Sequence, residues 1–71
     1  MTFEELWRLV DELNILPKQA IELVPHSLSD GTKKRLCMKK PEEVAEIVLW
    51  AIRRIDHGSI ETLDVLVNQK Y

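Results

Sequence analysis

Three side chains offer the most direct route to covalent or metal chemistry: the thiol of Cys37 and the imidazoles of His26 and His57. A cysteine becomes a nucleophile when a base sits within hydrogen-bond reach of it. Spread over positions 26, 37 and 57, these residues show no spacing that enforces such a pair. Cys37, next to Leu36, reads instead as a small core or boundary residue. His57 reads as a helix C-terminal residue favoured by the helix dipole. Zinc sites are built from close Cys and His pairs, and none occurs here. "SDGT" holds one Gly and one Asp, too few for a calcium loop or a phosphate cradle. Acidic neighbours such as Glu42 and Glu43 read as a helix start rather than an acid/base dyad. The sequence therefore points away from an enzyme, and no cofactor or metal is expected.

Binding chemistry is better represented. "GTKKRLCMKK", residues 31–40, carries Lys33, Lys34, Arg35, Lys39 and Lys40, half of the chain's ten cations, and no acid. Residues 1–30 hold two cations and six anions, and residues 41–71 hold three cations and six anions. The net charge of −2 thus hides a sharp segregation. On a helix, Lys33, Lys34 and Arg35 fan through roughly 200°, while Leu36 and Thr32 turn inward. A phosphate backbone or an acidic protein could meet this cluster. It lacks interleaved aromatics for base stacking and neighbouring Asn or Gln for reading base edges. The simplest reading is a solvated face whose lysines complement a helix C-terminus and the acidic first turns of other helices. A contact to an acidic partner or polyanion is the functional alternative.

These residues must be positioned by a small fold. Seventy-one residues leave room for one domain, and 45% hydrophobic with 31% charged residues is a globular composition. The most apolar run, Val44 to Ile55, is interrupted by Glu46, Arg53 and Arg54 and is too short to span a bilayer. The first residues are acidic where a secretory signal is basic and then apolar. A single cysteine permits no internal disulfide. Cytoplasmic residence without a membrane partner is expected.

Helical periodicity accounts for nearly the whole chain. Phe3, Leu6, Trp7, Val10 and Leu13 recur at helical spacing behind a Thr2–Glu5 capping box, predicting a helix over 3–14. Pro17 suits a first turn and Pro25 should stop the next helix, giving 17–24. Ser29 can cap 30–38. Pro41, Glu42 and Glu43 begin the strongest signal, 41–57, and Gly58 can end it. Ser59 would cap a last segment over 60–68, whose β-branched residues also permit a strand. The expectation is an all-α bundle of about five short helices. Leu6, Val10, Leu13, Ile21, Leu36, Val48, Ile52, Ile55 and Leu63 should be buried.

One residue fits this scheme poorly. Projected at 100° per residue, Trp50 falls among Glu43, Glu46, Arg54 and His57, away from the stripe of Val44, Ile47, Val48, Ala51 and Ile52. Arg54, one turn on, could lie over its ring. Either another helix folds across Trp50, or the residue marks a contact surface together with Leu49, Glu46 and Arg54. The expected function is a non-enzymatic protein-interaction module that binds a protein partner or forms a homo-oligomer such as a dimer. The alternative is weak, sequence-nonspecific nucleic-acid binding through Lys33, Lys34, Arg35, Lys39 and Lys40.

Overall fold

The computed structural model describes residues 2–56, 58 and 62–70. It contains five helices, α1 (Phe3–Glu12), α2 (Lys18–Ser27), α3 (Asp30–Leu36), α4 (Pro41–Asp56) and α5 (Leu63–Lys70), and no strand among these residues. The all-α bundle expected from periodicity is the observed one. The segment with an ambiguous strand signal is helical from Leu63 onward.

Three helices, α1, α3 and α5, begin where a short polar side chain serves a backbone N–H group. The Thr2 hydroxyl accepts from the Glu5 amide at 3.3 Å and donates to the Glu5 carboxylate at 3.2 Å. Ser29 receives the Thr32 amide at 3.3 Å. The Thr62 hydroxyl receives the Val65 amide at 3.3 Å, so α5 starts three residues later than expected and runs on to Lys70. Ser59, Ile60 and His57, to which the sequence assigned cap, helix and helix-end roles, lie outside the described residues. Left-handed backbone follows α1 and α4. Asn14, at φ 56°, follows α1, and Gly58, at φ 92°, donates its amide to the Ile55 carbonyl at 3.0 Å. A side chain at position 58 would adopt that φ only with strain.

The core lies along α4, which packs on α1 and α5. Leu6, Val10, Val44, Ala45, Val48, Ala51, Leu66 and Val67 are fully buried, and Leu36 of α3 closes one end. Leu63 is buried as expected, while Leu13, Ile21 and Ile52 are only partly so. Ile55 is 38% exposed, contrary to expectation. Among the described residues, the last turn of α4 has α2 and the start of α5 alongside, and Ile55 lies at the edge of a groove between them.

The sequence also misplaces the end of α2. Pro25 does not stop it; the helix continues through Pro25 to Ser27. A proline inside a helix removes the N–H that would bond four residues back, here to the Ile21 carbonyl. That carbonyl instead accepts the Trp7 indole N–H at 2.8 Å. One side chain of α1 thus supplies the donor that α2 lacks. Trp7 is buried and stacks on Phe3 with centroids 5.6 Å apart and ring planes at 18°. Trp7→Phe keeps the ring and deletes the donor, leaving Ile21 without a partner at a cost of about 1–2 kcal/mol. Pro25→Ala in that background restores an amide donor and should recover part of the loss. A urea double-mutant cycle should show a favourable coupling between the two changes.

Candidate functional site

The five cations of the basic segment do not act as one patch. Lys33 is half-buried, with its Nζ 5.3 Å from the centroid of the Phe3 ring. Arg35 reaches across to α5, where its Nη1 donates to Asn68 Oδ1 at 2.7 Å. Lys39 is half-buried, and Lys34, Arg35 and Lys40 are exposed. Between them Met38 is 89% exposed, the most exposed large apolar side chain among the described residues. The Met38 amide donates to the Arg35 carbonyl and the Lys39 amide to the Leu36 carbonyl, so the turn after α3 is tightly wound and pushes Met38 outward.

What binds α3 to the bundle is a polar cluster that the sequence did not reveal. Asp64, in the first turn of α5, accepts the Thr32 hydroxyl at 2.6 Å, the Ser29 amide at 3.1 Å and the Ser29 hydroxyl at 3.3 Å. Asn68, one turn on, donates to the Thr32 hydroxyl at 2.9 Å and to the Asp64 carbonyl at 2.8 Å. Thr32 is a buried polar residue, and these bonds satisfy its hydroxyl as burial requires. The Thr32 hydroxyl and the Ser29 amide hold the Asp64 carboxyl below the usual carboxylate range, helped by the Ser29 hydroxyl and the charge of Arg35 and opposed by burial. Hydroxyls beside a carboxylate can suggest catalysis. Here the described members of the cluster bind one another, so it serves as a clamp. The only signal in the sequence was the spacing of Asp64 and Asn68, which puts both on one face of a helix.

Trp50 is not free on a polar face. It is half-buried against the core cluster, as is Leu49. The Arg54 guanidinium carbon lies 5.1 Å from its ring centroid, as the one-turn spacing suggested. Lys70 of α5 brings its Nζ to 5.5 Å. Of the two readings open to Trp50, this is the arrangement in which another helix reaches across it, and both α1 and α5 pack on α4. Glu46 and Arg54 remain exposed.

The exposed apolar surface lies elsewhere, between α2 and α4. A shallow groove of about 350 Å³ is lined by Ala20, Leu23, Val24, Ile52, Ile55 and Leu63, with Gln19, Ser27 and Asp56 among its polar neighbours. Leu23 is 62% exposed. The sequence hid this because Leu23 looks like one more member of an apolar run ended by a proline. Half-buried Cys37 borders a different depression beside Thr2, Phe3, Asp30, Lys33 and Lys34. Among the described residues no group of three or more His, Cys, Asp or Glu could hold a metal ion. Nor, among them, is any helix long and apolar enough to cross a membrane.

Two outcomes follow from this geometry. With a folded-state pKa below its unfolded value, Asp64 stabilises the fold above about pH 4, and that contribution is lost as the pH falls through the folded pKa. Asp64→Asn should lower stability at pH 7 by about 1–2 kcal/mol, and its denaturation midpoint should fall less than the wild type's between pH 5 and 3, values set by the usual carboxylate range. Trp50→Glu should also destabilise the fold, by about 2 kcal/mol in thermal melts followed by circular dichroism, because the ring covers core. Compared with protein-family models, curated proteins and solved structures, the chain finds no match, so its functional reading rests on these surfaces.

Proposed function

We propose that this protein is a small, non-enzymatic interaction module that takes a protein partner, or a second copy of itself, against α4. The observation supporting this reading most directly is Leu23, a leucine left 62% exposed beside Ala20, Ile52 and Ile55 in the groove between α2 and α4. A groove between two helices suits the apolar face of a third, whose side chains at i and i+4 enter while its polar flanks meet the rim. Gln19, Ser27 and Asp56 supply that rim here. A large apolar side chain leaving water gains about 1.5–3 kcal/mol when fully buried. Leu23 and Ile55 can therefore contribute several kcal/mol to association without being needed for folding. Glu46 and Arg54, exposed on α4, can add charged contacts outside the groove, where each pair would contribute little. Trp50 and Leu49 are half-buried against the core and do not line the groove.

Leu23→Glu provides the test. The residue faces solvent, so the circular dichroism spectrum should be unchanged. The tagged wild type should either sediment above the monomer mass or capture a protein from its native lysate in a nuclease-resistant manner, and the variant should lose that association by tenfold or more, as expected for a buried charge at an interface. A wild type that stays monomeric and captures no protein would overturn the reading.

A further inference from the structure

The turn joining α3 to α4 combines two features that the proposed groove does not explain. Met38 projects from it with 89% of its surface in water, although Met is a residue that other folds bury. Around it the chain carries Lys34, Arg35, Lys39 and Lys40, and residues 31–40 contain no acid. Lys34 and Lys40 are exposed, and the side chain of neither forms a hydrogen bond or ion pair with another described residue. Arg35 adds its charge nearby while bonded to Asn68.

We propose that this turn is a docking tip for an anionic lipid bilayer, with Met38 entering the boundary between headgroups and acyl chains and Lys34 and Lys40 meeting lipid phosphates and carboxylates. A nucleic acid would use the cations, but a phosphate backbone gains nothing from the methionine, and the segment has no aromatic side chain for stacking. A protein partner would require a pocket complementary to a single projecting side chain. A bilayer interface asks for neither: it accepts an apolar tip of any shape and attracts a ring of cations. Glu42 and Glu43, exposed just beyond the turn, limit the attraction. Binding is therefore weak, reversible and dependent on a high fraction of anionic lipid. The surface is separate from the α2–α4 groove, so the two proposals stand or fall independently.

The test is cosedimentation of the full chain with vesicles of phosphatidylcholine alone and of phosphatidylcholine with about a third phosphatidylserine, at low and near-physiological salt. Binding to the anionic vesicles only, weakened by salt, is expected. Met38→Ser removes the apolar tip and should lower partitioning about tenfold, leaving the circular dichroism spectrum unchanged. Lys34→Glu with Lys40→Glu should abolish it. Three results would overturn the proposal: no cosedimentation with anionic vesicles at low salt, equal binding by wild type and Met38→Ser, or binding of a labelled duplex or single strand without vesicle binding.

Discussion

A backbone carbonyl without its helical donor organises much of this molecule. Pro25 leaves the Ile21 oxygen unserved inside α2, and the Trp7 indole of α1 reaches it at 2.8 Å. A part-buried acceptor left unpaired is costlier than an ordinary hydrogen bond is worth, so this contact helps fix where α2 lies against α1. Its effects extend in both directions. Trp7 stacks on Phe3, and Phe3 carries the Lys33 ammonium, so α3 is also placed with reference to the same indole. On the other side, the position of α2 leaves Leu23 facing α4 across the groove. The two surfaces proposed to bind partners therefore share a common frame.

The contact of α5 with α3 and α4 is held by different chemistry. Residues 63–70 form a short helix whose buried Leu63, Leu66 and Val67 fill the side of α4, while Asp64 and Asn68 on its flank grip α3. Apolar burial supplies most of the adhesion, and the polar grip selects one arrangement of α3. The division suits a small domain in which α4 packs on α1 and α5 and carries the largest share of the buried residues. Its stripe cannot accommodate every apolar residue, and those left over, Ile55 and Leu23, remain in water near one another.

Much of the architecture was legible in the sequence. Helical spacing, together with Thr2, Ser29, Pro41 and Gly58, located four of the helices within a few residues, because caps and periodicity are local signals. The N-terminus of α5 was misjudged: Ser59 and Thr62 are both competent caps, and which one the chain uses depends on where Asp64 must meet α3. Pro25 misled for a related reason, since a proline ends a helix only when nothing distant serves the freed carbonyl. For Trp50 the helical angle left open whether another helix crosses it, and the fold brings Lys70 of α5 to its ring. Among the basic residues the sequence supplied the charge, but it could not say which cations the fold would occupy. Lys33 and Arg35 were taken up by Phe3 and Asn68, and Lys34 and Lys40 were not. Local chemistry is readable from a single sequence, whereas the pairing of remote residues becomes readable only with the fold.

The Asp64 clamp also has a consequence in time. Seven residues are too few for α3 to persist as an isolated helix. Its partners Asp64 and Asn68 lie 32 and 36 positions later in the chain than Thr32. At about 5–20 residues per second on the ribosome, that gap holds α3 unclamped for about 2–7 seconds after it has been polymerised. During this interval the basic segment is an extended, cationic piece of nascent chain, available to whatever polyanion surrounds it. The finished fold brings its order from downstream, so a stall in translation before Asp64 would leave the most highly charged part of the molecule unstructured.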